Sequence, residues 1–134
     1  MTEFPLKIVT PDGVCFDGAA EELVVRSVNG DVAILARHEN YVTALGMGPA
    51  LIVAAGQRRS AACIGGMLSV VDGQVTLVPT TFEWAEQIDA ARAEASRLRA
   101  TEMLRNKNAS ATDIRLAEAR LHRALVRKDV ASHK

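Results

Sequence analysis

From Leu6 to Phe82 the apolar residues come in short runs, many of them alternating with polar ones, and turn-forming residues separate them. The runs Leu6–Thr10, Val14–Asp17, Glu22–Ser27 and Asp31–Leu35 read as strands. Tyr41–Leu45, Ala50–Ala54, Arg59–Ile64, Met67–Val71 and Gln74–Val78 continue the series. Between them stand Pro11-Asp12-Gly13, Asn29-Gly30, Ala55-Gly56-Gln57, Gly65-Gly66 and Asp72-Gly73. Each is a turn signal, because Gly reaches positive φ without steric cost and Asp and Asn bond their own backbone. Asp72-Gly73 between two β-rich runs predicts a hairpin with a type I′ turn. Eight to ten short strands at this spacing predict a sandwich or barrel.

The period changes after Trp84. Asp89 is a good helix N-cap, and Ala90 to Arg105 are nearly all strong helix formers. Asn106-Lys107-Asn108 ends that helix, and Ser110 with Asp113 three positions on forms a capping-box pattern for a second. Ile114, Ala117, Leu121, Ala124 and Leu125 give the second helix one narrow apolar stripe. Ala91, Ala95, Leu98 and Met103 are the expected matching face of the first. A short polar loop between two such helices predicts an antiparallel hairpin with an Ala-rich, thin seam that needs a further surface to rest on. The fold class expected is thus an all-β N-terminal sandwich of about ten strands, residues 1–86, followed by an α-helical hairpin, residues 87–134.

Charge sharpens that boundary. The chain is neutral overall. Residues 1–88 hold 5 basic and 10 acidic side chains, a net of −5, and residues 89–134 hold 11 and 6, a net of +5. A block change of this kind separates parts with different partners. No stretch approaches the roughly 20 apolar residues that span a bilayer. The Met-Thr-Glu-Phe-Pro start lacks the positive charge and apolar run of an export signal. Cys15 and Cys63 are far apart and not at metal-ligand spacing, so reduced, buried thiols are expected.

Enzyme chemistry is hard to assemble from these residues. The histidines, His38, His122 and His133, are scattered over a loop, a helix and the tail. Gly65-Gly66 precedes a strand, so it lacks the oriented amides of a phosphate-binding helix N-terminus and reads as a tight turn. A non-catalytic chain without a metal is the expectation. Nucleic-acid binding is weighed by the arginines of the hairpin. Glu94, Glu102, Glu118 and Asp129 interrupt any phosphate-tracking stripe, and no aromatic follows Trp84 to stack a base. What remains is a solvated face with i,i+4 pairs, or a face that docks on an acidic protein surface.

Several of these segments resemble the epsilon subunit of the rotary proton-translocating ATP synthase. They are Leu6-Lys7-Ile8-Val9-Thr10-Pro11-Asp12-Gly13, Phe16-Asp17-Gly18, Asn29-Gly30-Asp31-Val32-Ala33-Ile34-Leu35 leading to His38, Gly65-Gly66-Met67-Leu68-Ser69-Val70 and Val75-Thr76-Leu77-Val78. The likeness runs from about residue 6 to about residue 128. It implies a ten-stranded sandwich packed on the gamma subunit and the c-subunit ring, with Asn29, Gly30, Asp31 and His38 as candidates for the contacting edge. Ala33 and Arg37 depart from the family pattern, which often has glycine and proline there. In some bacterial members the start of the hairpin carries an Ile/Leu-Asp-x-x-Arg-Ala motif that binds ATP, and Ile88-Asp89-Ala90-Ala91-Arg92-Ala93 matches it.

By that resemblance Ile88, Asp89, Arg92 and Ala93, helped by Arg99, Arg123 and Arg127, are the candidate site for ATP as a regulatory ligand; no cofactor is required. Structurally, Asp89 need be only an N-cap and Arg92 an exposed first-turn side chain. The implied mechanism is a switch. Compact, the hairpin lets the rotor turn. Extended, its arginines reach the alpha/beta catalytic head and block ATP hydrolysis. The implied location is peripheral, on the cytoplasmic face of the cell membrane through the complex. The alternative is a free-standing β-sandwich module whose basic tail recruits another protein or nucleic acid.

Overall fold

The computed structural model describes residues 2–133. Ten strands form two five-stranded sheets. They are β1 (Phe4–Thr10), β2 (Gly13–Ala20), β3 (Glu22–Ser27), β4 (Gly30–Ile34), β5 (Tyr41–Ala44), β6 (Met47–Ala54), β7 (Gln57–Ile64), β8 (Met67–Val71), β9 (Gln74–Val78) and β10 (Thr81–Trp84). The first sheet has the order β2-β1-β9-β8-β5 and the second β10-β7-β6-β3-β4. Pairing is antiparallel except between β1 and β9, where Leu6, Lys7 and Ile8 face Val75, Thr76 and Leu77 in parallel. Alternate side chains enter the space between the sheets. Leu6, Ile8, Leu23, Val25, Ile52, Leu68 and Leu77 are each at most 1% exposed there and make one aliphatic core, which Phe82 and Trp84 join.

The sandwich and hairpin expected from the sequence are both present, and the differences in detail have local causes. β2 runs on to Ala20 because it pairs with the whole of β1 through an irregularity at Ile8/Val9. β10 is too short to show a period of its own, and pairing with β7 creates it. The Asn29-Gly30 turn is displaced by one residue. Ser27 pairs with Gly30, so Val28 and Asn29 form the loop and Gly30 opens β4 at φ +117. The Ser27 hydroxyl fixes this loop by accepting from the Asn29 N–H at 3.1 Å and donating to the Gly30 carbonyl at 2.7 Å. Asp72 and Gly73 both have positive φ, 50° and 80°, as the type I′ turn requires. Arg37 also lies at positive φ, 66°, which a proline ring cannot reach.

The hairpin consists of α1 (Ala90–Arg105) and α2 (Ala111–Ala131), reached through a 3-10 turn at Ala85–Gln87. Asp89 caps α1 by accepting from the Arg92 N–H at 3.0 Å, and Ser110 and Asp113 cap α2 reciprocally. The seam differs from the expected stripe. Ala93, Ala100, Ala117 and Ala124 are buried in it, whereas Leu98, Met103 and Leu125 are 51%, 39% and 46% exposed. The cause is a second apolar face on α2. Val126 and Val130, four residues apart, turn away from α1 and pack on the outer side of the second sheet against Ala62, Ala85 and Ile88, with Met47 and Ala131 at the margin. The larger side chains hold the hairpin to the sandwich, and small ones let the helices approach.

Gly65 and Gly66 cross the end of the first sheet at φ +67 and +103, and a Cβ on Gly66 would lie 2.0 Å from the Val78 carbonyl oxygen. The backbone there has no room to yield, since Leu45 donates its N–H to Gly66 O at 2.8 Å. Gly66→Ala is expected to destabilise the sandwich by about 3 kcal/mol or more in denaturant titration, with Gly73→Ala, whose added Cβ meets nothing within 4 Å, costing less.

Candidate functional site

The junction between sandwich and hairpin encloses two adjoining cavities. The larger, about 670 Å³, lies between the end of β10, the turn after β1 and the first turns of α1. Thr10, Asp12 and Glu83 give its sandwich wall, Ile88, Asp89, Arg92 and Ala93 its floor, and Ala124 and Arg127 its α2 side. The smaller, about 470 Å³, runs outward between the helices and is lined by Arg99, Arg120, Arg123 and Arg127, with Ser96, Ala100, Met103 and Ala117. Ser96 and Arg127 are walls of both. The alanine seam is what leaves the gap, because no side chain there is long enough to fill it.

All seven residues singled out as the candidate ATP site therefore come together. Ile88 is 2% exposed and anchors the hinge in the docking core, while Ala93 is 4% exposed and its size permits the close seam. Asp89 does act as an N-cap, which uses one carboxylate oxygen on the Arg92 N–H. Arg92 stays exposed over the larger cavity. Arg99 donates to the Ser96 hydroxyl at 3.2 Å. Arg127 donates to Glu83 of β10 at 2.6 Å, an ion pair joining the two halves across 44 positions of sequence. Glu83, Thr10, Asp12 and Arg120 were not legible as lining residues. Nothing in a strand's alternation marks which of its acids will meet a helix 44 residues on.

Of the four edge candidates, three adjoin one another at the start of β4 and the fourth lies past its end. β4 is the outer strand of its sheet, with Asn29, Gly30 and Asp31 at its start and His38 four residues beyond its end. About 13 Å of strand separates Gly30 from Ile34. Asp31 pairs with Arg26 at 2.9 Å, and this hydrogen bond holds its carboxyl below the usual carboxylate range. His38 Nδ1 lies 2.8 Å from the Glu39 carbonyl, and its ring is 5.9 Å from that of Tyr41. The two thiols are free, Cys15 half-buried and Cys63 buried, and burial pushes the Cys63 thiol up to about 12.

A ten-stranded sandwich carrying a docked two-helix arm is the class of protein that this fold and junction define. The comparisons with known proteins give the same division. Residues 3–85 match the ATP synthase Delta/Epsilon chain beta-sandwich domain, and residues 86–132 match its long alpha-helix domain. Among curated relatives, the ATP synthase epsilon chain of Bacillus subtilis is 43% identical over 98% of both chains. That of Bacillus velezensis is 42% identical over 99% of this chain and 100% of its own, and that of Ruminococcus albus 38% over 100% of both. The chain belongs to the ATP synthase epsilon chain family. A chain of the Euglena gracilis mitochondrial ATP synthase, in a structure of OSCP/F1/c-ring in rotational state 1, shares the fold at a TM-score of 0.85 and 18% identity. The match covers 100% of this chain and 83% of that one.

Within the hairpin, Glu94 on α1 bonds Arg97 at 3.1 Å and also meets Lys128 on α2. Those two cations, Arg97 first, lower its pKa from 4.5 to about 2. A depressed carboxylate pKa stabilises the folded form fully above the unfolded value and loses that contribution as pH falls through the folded one. The α1–α2 clamp is therefore expected to weaken between pH 4.5 and about 2. Hairpin melting followed by helical circular dichroism checks this, and Glu94→Gln removes that part of the pH dependence.

Proposed function

We propose that the chain works in the central stalk of the ATP synthase, bridging the gamma subunit and the c-ring, and that its hairpin is a nucleotide-responsive brake on ATP hydrolysis. The stalk role is supported by the full-length match to epsilon chains and by an unpartnered apolar face on the sandwich. Val42, Met67, Val71 and Val78, all 44–60% exposed, project outward from β5, β8 and β9, on the side opposite the core. A patch of this kind marks a protein contact, and gamma is the occupant proposed. The outer strand β4, with Asn29, Gly30, Asp31 and His38, is the proposed edge toward the ring. No helix among the described residues is long and apolar enough to cross a membrane, so attachment to the cytoplasmic face of the membrane would be peripheral, through the complex.

The observation that carries the brake is the junction itself. The hairpin rests on the sandwich through few large side chains, Ile88, Val126 and Val130, beside a cavity walled by arginines from both helices. Burial of such side chains contributes about 2 kcal/mol each, so release lies within reach of a ligand or partner that prefers one state. ATP lying between α1 and α2, its base and ribose near Asp89 and Arg92 and its phosphates among Arg99, Arg123 and Arg127, would hold the compact state. Extension would carry the same arginines to acidic segments of the catalytic head. The alternative of a free-standing binding module loses ground, since both halves of the chain match one family.

Two measurements test these proposals. ATP titrated calorimetrically into the protein should bind, and Arg92→Ala should weaken it by about tenfold, the loss of one charge-assisted contact. Absence of heat for either protein removes the nucleotide role. A chain ending at Ile88, reassembled into the ATP synthase, should relieve inhibition of ATP hydrolysis while leaving assembly intact. Unchanged inhibition would show that the hairpin is not the brake.

A further inference from the structure

Arg59 of β7 reaches from the core face of its sheet to the base of the arm. It stands opposite Ile52 of β6 and two residues before Ala61, the partner of Trp84, and all three of these residues belong to the core. Continuing the β10 register would set Glu86 opposite Arg59. Instead β10 ends at Trp84, and the chain leaves the sheet as the 3-10 turn Ala85–Gln87. The Arg59 guanidinium lies 3.6 Å over the Trp84 ring and donates from Nη2 to Glu86 at 2.7 Å. Phe82 meets the same ring edge-on, with centroids 5.0 Å apart, and holds it in place. A guanidinium can do both at once, since its flat face stacks on an indole while its N–H groups stay free in plane for a carboxylate.

The turn clasped in this way carries half of the docking contact. Ala85 begins it, Ile88 follows it, and both are buried with Val126 and Val130 of α2. A turn of three residues holds its shape weakly by itself. Here Ile88 donates its N–H to the Ala85 carbonyl at 3.2 Å, and the Gln87 side chain accepts from the Trp84 N–H at 3.1 Å. Each of those bonds spans three residues, whereas the Arg59–Glu86 bond joins positions 27 apart. A contact surface that is already ordered loses less freedom when its partner docks. We propose that Arg59 is a positioning residue for the arm: by clasping Trp84 to Glu86 it keeps Ala85 and Ile88 as a preformed socket for Val126 and Val130, and so sets how readily the hairpin lifts off. The consequence for the brake rests on the function proposed above. The clasp itself does not, because it needs no nucleotide.

The test is methyl relaxation-dispersion NMR without nucleotide on the full chain, Arg59→Met, Arg59→Lys and Arg58→Met, the last an exposed neighbour on the other face of β7. The undocked population, read at the Ile88, Val126 and Val130 methyls, should rise about fivefold in Arg59→Met, which loses both stack and ion pair. Arg59→Lys keeps a charge for Glu86 and should raise it about twofold. Arg58→Met should leave it unchanged, and the Leu68 and Leu77 methyls between the sheets should show no such rise in any variant. No rise in Arg59→Met, an equal rise in Arg58→Met, or an equal rise at Leu68 and Leu77 would each overturn the proposal. Should Arg59→Met not fold, an unchanged population in Arg59→Lys overturns it. Docking is read here and ATP hydrolysis is not, so failure of the clasp and failure of the brake are told apart.

Discussion

Val126 and Val130 of α2 lie on Ala62, Ala85 and Ile88, and the rest of the junction depends on that contact. It brings Arg127 to Glu83, closes the wall of the larger cavity and sets the hinge at Ile88 beside the turn after β1. Without it, the helices would still pair along their alanines, but Thr10, Asp12 and Glu83 would face solvent instead of the first turns of α1. The contact is made of few side chains, so the hydrophobic stabilisation of the compact arrangement is modest. The sandwich below it has a continuous aliphatic core and no such economy of contacts. Stability is thus unevenly distributed, high between the sheets and low where the arm meets them.

Electrostatics divide in the same way. Glu94, Arg97 and Lys128 tie the two helices to each other and would travel with the hairpin as a unit. Arg127–Glu83 crosses from hairpin to sandwich and would break on release. At 28% and 33% side-chain exposure this pair is only partly shielded, so screening by salt and competition by another anion both act on it. Among the described residues, Arg127–Glu83 is the ion pair by which the −5 and +5 blocks of the sequence meet. Arg59 adds a second tether at the base of the arm, stacking 3.6 Å above the Trp84 ring and bonding Glu86 at 2.7 Å.

Much of the fold was legible in the chain because its cues are local. The alternation of β3, β8 and β9, the Asp72-Gly73 turn, the Asp89 cap and the Ser110/Asp113 box each follow from a few neighbouring residues, and each appears where those residues place it. The turn after β3 moved by one residue because the Ser27 hydroxyl, a side-chain bond that alternation does not encode, selects Val28 and Asn29 as the loop. β10 escaped notice because four residues cannot establish a period without the strand they pair with.

The site was half legible. The hinge motif Ile88-Asp89-Ala90-Ala91-Arg92-Ala93 and the arginines of the helices are sequence facts, and so is the boundary that the charge blocks draw. Which face of α2 meets α1 and which meets the sandwich was not, because two valines four residues apart weigh less in a helical stripe than larger side chains such as Leu125, which proved exposed. By itself, then, the sequence determined the strands, the caps, the hairpin and the charge of each half, since these arise from interactions within a few residues. Only the tertiary structure decided that Glu83 answers Arg127 and that four arginines share one gap. Those neighbours are set by how an arm packs across a sheet, a matter of three-dimensional complementarity between segments far apart in the chain.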